Sequence, residues 1–173
     1  MPPERHDDET EAKRAWIADA LATHERALTI YAARLVGEPE RARDVVQETF
    51  LRLWQADRAE VDGHLTAWLF TVCRHRAFDV SKKERRMLPV PNPEPSGVVA
   101  TPFDALSRDQ DRGRALQAME ALPERQRELL RLKFQAGLSY REIAGVTGLS
   151  VTNVGYLLHT ALKAVRTQLG SAS

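Results

Sequence analysis

Five of the nine prolines crowd into one stretch, at Pro89, Pro91, Pro93, Pro95 and Pro102. Proline fixes φ and removes a hydrogen-bond donor, so proline alternating with Asn, Glu and Ser cannot hold a helix and favours semi-rigid, extended chain. Residues 88–104 therefore read as a linker, and the 173-residue chain divides into parts at 10–87 and 105–170. On both sides the apolar residues recur at three and four positions, the helical period, and no alternating strand pattern of useful length occurs. The expected fold is all-α, with two small helical domains joined by a Pro-rich linker.

In the first part, Trp16, Ile17, Ala20, Leu21, Leu28, Tyr31, Ala32 and Leu35 mark one helix that ends at Gly37. Pro39 suits the first turn of a second helix, where its missing N–H costs little. Ala42, Val45, Val46, Phe50, Leu53 and Trp54 form that helix's apolar stripe. Off the stripe lie Arg43, Asp44, Gln47, Glu48 and Leu51. An exposed leucine ringed by Asp, Gln and Glu suits a protein-contact surface, although a plain solvated face has the same pattern. After the polar stretch 55–63, Leu65, Trp68, Leu69, Val72 and Phe78 mark a third helix to about Arg86, with Trp68 and Phe78 expected in the core.

In the second part, helices are expected over 105–122, from Pro123 to Phe134, over 139–146 and from Ser150 to about Leu169. Ser139 with Glu142 has capping-box spacing. The pair over 139–159 has a helix-turn-helix layout. Ile143 and Ala144 face inward, Gly148 makes the turn, and Leu149, Val151, Val154 and Leu158 form the inner face of the second helix. Its outward N-terminal side chains, Thr152, Asn153 and Tyr156, would meet base edges in a major groove. No Lys or Arg lies between Ser150 and Ala161. Phosphate contacts would then fall to Arg125, Arg127, Arg131, Lys133, Arg141, Lys163 and Arg166, which implies weak affinity without help.

The formal net charge is only +1, yet residues 67–87 and 113–173 carry +4 each, offset by acidic segments. Regional charge matters more than the total for a polyanionic partner. The 67–86 stretch adds Trp68, Phe70 and Phe78 to its cations, a combination suited to unpaired bases. A lone cysteine, Cys73, excludes a disulfide framework, and one Cys with five scattered His offers no metal site. No glycine-rich phosphate loop, paired-carboxylate cleft or nucleophile motif is present, so no catalytic residue, enzyme activity or cofactor is expected. Without an 18-residue apolar run or a secretory signal, a soluble intracellular protein is expected, with no membrane insertion.

Four stretches then converge on a family. They are Ala42-Arg-Asp-Val-Val-Gln-Glu-Thr-Phe-Leu-Arg-Leu-Trp54, Ala67-Trp-Leu-Phe-Thr-Val-Cys-Arg-His-Arg-Ala-Phe-Asp79, Leu122-Pro-Glu-Arg-Gln-Arg127, and Leu138-Ser-Tyr-Arg-Glu-Ile-Ala144 with Gly148-Leu-Ser150. The chain resembles the extracytoplasmic-function (ECF) subgroup of the bacterial sigma-70 family over roughly 20–87 and 105–169. The resemblance implies a cytoplasmic sigma factor, monomeric when free, that binds core RNA polymerase and directs transcription from specific promoter DNA. Asp44, Gln47, Glu48 and Leu51 would dock on the clamp helices of the largest polymerase subunit, and the C-terminal domain would meet the flap. Trp68, Arg74, His75, Arg76, Asp79, Lys82, Lys83 and Arg86 would bind and open the −10 region, and the loop 55–64 would receive a flipped −10 base. Arg125, Arg141, Ser150, Thr152, Asn153, Tyr156 and Lys163 would contact the −35 element. An anti-sigma protein is a further implied partner.

Two departures from the family pattern stand out. The stretch after Ser150 lacks the usual basic residues, with Asn153-Val-Gly-Tyr-Leu157 followed by Thr160 and Leu162. His75 also stands where Asn is common. A dimeric helix-turn-helix repressor or activator would need neither the 44–50 stretch nor the 67–86 basic helix. An inactive sigma-like interaction protein stays open, because the reading helix is not basic.

Overall fold

The computed structural model describes residues 4–87 and 110–171, so the linker stretch 88–104 and the expected helix start at 105–109 lie outside the described residues. The chain forms two compact units, Met1–Val99 and Ala100–Ser173. The described residues form helices and no strand. In the first unit these are α1 (Glu4–Val36), α2 (Pro39–Gln55), the single turn α3 (Arg58–Val61) and α4 (Leu65–Met87). In the second they are α5 (Gln110–Glu120), α6 (Glu124–Phe134), α7 (Tyr140–Thr147) and α8 (Val151–Gly170).

In the first unit α1, α2 and α4 each pack against the other two. The turn between α1 and α2 uses Gly37 at φ +74°, a conformation that side chains with a Cβ disfavour. Pro39 then starts α2. Helix α2 buries Ala42, Val45, Val46, Thr49, Phe50 and Leu53, one face at helical spacing. Helix α4 buries Leu69, Phe70, Cys73 and Ala77, and Phe70 meets Tyr31 of α1 edge-on at 5.2 Å between ring centroids. Arg41 pairs with Glu84, and Arg76 with Glu48 at 3.1 Å, so α2 and α4 run antiparallel.

The face of α4 is rotated from the expected one. Trp68 is half-buried, and Phe78 is 45% exposed beneath the Arg74 guanidinium, which lies 4.6 Å from its ring centroid. Cys73 and Ala77, with Leu69 and Phe70, let α4 close on its neighbours, and Trp68 and Phe78 lie off that face. Trp54 is likewise partly exposed, with the Lys13 ammonium 5.8 Å from its ring centroid.

In the second unit α8 is the central element and packs on α5, α6 and α7. Leu129, Leu132, Leu138, Ile143, Val146, Val154, Leu158 and Ala161 form the core. Ser139 and Glu142 make the full capping box: the Ser139 hydroxyl accepts from the Glu142 N–H, and the Glu142 carboxylate accepts from the Ser139 N–H. Gly148 ends α7 at φ +75°, and the Ser150 hydroxyl accepts the Asn153 N–H to start α8. Phe134 and Val151, expected on apolar faces, are exposed because each sits at the end of its helix, where no neighbour covers it.

Candidate functional site

The outward face of α2 lies opposite its buried stripe. Asp44 and Gln47 are exposed, and Leu51 is 62% exposed between them and the helix end. Helical geometry puts 44, 47 and 51 on one strip, because residues three and four apart are neighbours. Glu48 stands at the edge of that strip. Its carboxylate turns to Arg76 of α4 at 3.1 Å and to Arg52 at 3.7 Å. An exposed leucine flanked by acceptors is the composition of an interface core with a polar rim.

On α4 the spacing 68, 75, 79, 82, 86 keeps one stripe, directed away from the buried Leu69–Phe70–Cys73–Ala77 face. His75, Asp79, Lys82, Lys83 and Arg86 are exposed. Asp79, Lys82, Lys83, Arg86 and Met87 line a shallow, open depression. Trp68 begins the stripe near the α3 turn. Three expected members fall off it, Lys83 only to the side and still exposed. Arg74 covers Phe78 on one flank, and Arg76 faces α2 in its pair with Glu48. The sequence pattern did not separate these two from the outward cations, because their partners lie on the side chains of other turns and helices.

The loop between α2 and α4 is held at several points. The Asp57 carboxylate accepts the Ala59 N–H at 3.0 Å and caps α3. Val61 is buried, whereas Asp57, Arg58, Ala59, Glu60, Asp62, Gly63 and His64 are exposed. From α1 the Lys13 ammonium donates to the Ala56 carbonyl at 3.3 Å, a contact with no sequence signal because the two residues are 43 positions apart.

In the second unit Thr152, Asn153 and Tyr156 are exposed on the N-terminal half of α8, with Tyr156 at 67%. A Cβ built at Gly155 would lie 3.5 Å from the Tyr140 ring, so Tyr140 of α7 covers the glycine. Arg125, Arg141, Lys163 and Arg166 are exposed. The other expected phosphate contacts are engaged internally. Arg127 bonds Glu120 at 2.8 Å and Glu124 at 2.5 Å, and Arg131, only 7% exposed at its side chain, reaches Glu120 at 3.4 Å. Lys133 donates to the Leu138 carbonyl at 3.3 Å and lies over Tyr140.

Cys73 is fully buried, and burial pushes its thiol up to about 12, with the neighbouring Thr49 side chain opposing the shift. It is a packed core residue with little thiolate character. Among the described residues no group of His, Cys, Asp and Glu is placed to hold a metal ion, and no helix is long and apolar enough to cross a membrane.

Residues 21–87 match the family model for sigma-70 region 2, and residues 112–165 match that for sigma-70 region 4. The chain is 35% identical over 152 residues to the ECF RNA polymerase sigma factor SigL of Mycobacterium tuberculosis, covering 84% of each chain. It is 32% identical over 130 residues to the ECF RNA polymerase sigma factor EcfG of Rhodopseudomonas palustris, covering 74% of this chain and 71% of the other. Among solved structures it shares its fold with the sigma factor RpoE in complex with the anti-sigma factor NepR from Bartonella quintana. There the TM-score is 0.66 at 23% identity, over 88% of this chain and 96% of that one. CnrH in complex with the cytosolic domain of CnrY gives a TM-score of 0.58 at 26% identity, over 92% and 91%.

Proposed function

The chain belongs to the ECF subgroup of the sigma-70 family, and from that premise we propose which of its surfaces dock polymerase, open DNA and read it. It is an RNA polymerase sigma factor, a non-enzymatic initiation factor that directs promoter-specific transcription, with core RNA polymerase and promoter DNA as its partners.

The observation that carries the assignment is the pair of unlike outward surfaces on one three-helix unit. Asp44, Gln47 and Leu51, with Glu48 at the edge, form the docking strip of α2 against the clamp helices of the polymerase. The α4 stripe (Trp68, His75, Asp79, Lys82, Arg86), with Lys83 beside it, holds the opened −10 strand, its cations on phosphates and its ring against bases. The 55–64 loop receives the extruded base, whose capture offsets the unstacking of the duplex. In the second unit Thr152, Asn153 and Tyr156 meet base edges of the −35 element. Ser150 sits at the α8 N-terminus, while Arg125, Arg141 and Lys163 hold phosphates and the unit meets the polymerase flap. Residues 10–87 and 105–170 act as two domains tethered by 88–104.

Few free cations flank the reading helix, so the isolated protein binds duplex weakly. Docking supplies the missing affinity by raising the effective concentration of each DNA contact. The protein is a cytoplasmic monomer when free, and an anti-sigma protein restrains it. That partner is supported by RpoE and CnrH, which were solved with NepR and the cytosolic domain of CnrY. Run-off transcription with core polymerase on a genomic promoter library tests the assignment. Discrete, promoter-specific transcripts are expected, and their absence overturns it. A nanomolar shift of promoter duplex by free protein at physiological salt overturns the tethering argument.

A further inference from the structure

We propose that the N-terminal turns of α1 are a positioning element for the 56–64 loop, with Lys13 and Trp16 as the positioning residues. The inference rests on the assignment of that loop to a captured −10 base. The segment matched by the region 2 family model begins at residue 21, whereas α1 begins at Glu4, so these turns are additional to the matched domain.

They hold the start of the loop on both sides of Asp57. The Lys13 ammonium donates to the Ala56 carbonyl at 3.3 Å. Ala56 is the C-cap of α2, where the carbonyl ends of a helix carry partial negative charge, so a cation is favoured there. The same ammonium lies over Trp54, the last aromatic of α2. Two residues along the loop, the Arg58 guanidinium lies 5.4 Å from the centroid of the Trp16 ring, and Trp16 is itself packed into the unit. Lys13 is half-buried, whereas its neighbour Arg14 is exposed. Asp57 caps α3 between these anchors, and buried Val61 fixes the far end.

A loop that distinguishes one extruded base from another must hold its polar groups to within a fraction of an ångström, and loops do so only when rigid elements support them. The loop's own bonds close the α3 turn and lead it into α4, the His64 N–H donating to the Val61 carbonyl at 3.2 Å and the Trp68 N–H to the His64 carbonyl at 3.0 Å, so the end that needs support from another helix is the start, at Ala56 and Arg58. The α1 turns supply that support without touching DNA. They act on selectivity at one base, whereas docking and the −35 contacts lie on other surfaces.

The test uses full-length protein in holoenzyme, transcribing a promoter library randomised at the −10 and −35 positions. Lys13→Met keeps the aliphatic stem over Trp54 and removes the ammonium. The preference for the captured base is expected to fall about tenfold, as for loss of a charge-assisted hydrogen bond. The −35 preferences, core affinity and Tm stay as in the parent, and Lys13→Arg restores the −10 preference. Trp16→Phe keeps an aromatic ring but shortens it, weakens the contact with Arg58 and gives the same −10 pattern at smaller size, with a small fall in Tm from the lost buried volume. Unchanged −10 preference in both variants overturns the proposal. So does a loss spread evenly over −10 and −35 positions with a fall in Tm, which marks a purely structural role. A parent holoenzyme with no sequence preference at the −10 positions overturns the loop assignment itself, and this proposal with it.

Discussion

The two units carry the same formal charge in their basic segments but use it differently. In the first, Lys82, Lys83 and Arg86 stand exposed along α4, and the ion pairs of Arg41 and Arg76 lock α2 to α4. In the second, Arg127 and Arg131 fold onto Glu120, leaving Arg125, Arg141, Lys163 and Arg166 exposed around a reading helix whose first half is uncharged. Equal charge in the sequence is thus arranged differently at the surface, in line along α4 in the first unit and spread over α6, α7 and α8 in the second. Under the proposed assignment, opening draws on the cations held along α4, and reading on the few side chains of α8 and on tethering.

The comparison can be broken at several points. The largest effect is expected at the docking strip. Asp44→Ala with Gln47→Ala removes two polar contacts from the α2 face, and affinity for core polymerase should fall about a thousandfold, as for two hot-spot residues. Both side chains are exposed, so Tm is unchanged, and a wild-type pull-down would remove docking from this face. Next, Glu120→Ala strips Arg127 and Arg131 of their shared partner. A loss of about 3 kcal/mol from the second unit is expected, read as a shift in the urea midpoint. No shift would mean that these arginines are available to DNA after all.

Lys82→Ala with Arg86→Ala should lower open-complex formation by holoenzyme about tenfold. It should also make the log–log salt dependence shallower by about 1.4, as for two phosphate contacts to single strand. Arg127→Ala should leave that slope unchanged. A shallower slope for Arg127→Ala would erase the contrast between the units. Smallest is the effect of His24, half-buried in α1. Burial lowers its pKa, partly opposed by Asp19. The unfolded chain takes up the proton near the ordinary imidazole value and the folded protein only at lower pH. Stability is therefore full above that value and is lost as pH falls through the window. His24→Gln should flatten the difference in urea midpoint between about pH 7.5 and 5.5, and an unaltered difference would assign it to other groups.

Much of this was legible along the chain, where the governing interactions are local. The capping box of Ser139 and Glu142, the Gly148 turn and the Ser150 cap involve residues at most four apart, and the exposed Leu51 follows from the period of α2 alone. The face of α4 was not legible in the same way. Counting large apolar side chains favoured Trp68 and Phe78, whereas the helix closes on its neighbours through Leu69, Phe70, Cys73 and Ala77. Aromatic size marks burial poorly where a cation can cover the ring, as Arg74 covers Phe78 and Lys13 lies over Trp54.

The sequence by itself determined that the chain is helical, that prolines divide it, and which motifs place it among the ECF sigma factors. These follow from backbone chemistry and short-range periodicity, which neighbouring residues dictate. Only the tertiary structure decided which cations stay free and what supports the 56–64 loop. The deciding contacts, Arg76 with Glu48, Arg131 with Glu120 and Lys13 with Ala56, join residues brought together by packing. A charge counts at a surface only after such pairs have formed, because a cation already bonded to a carboxylate or a carbonyl has little left to offer a phosphate.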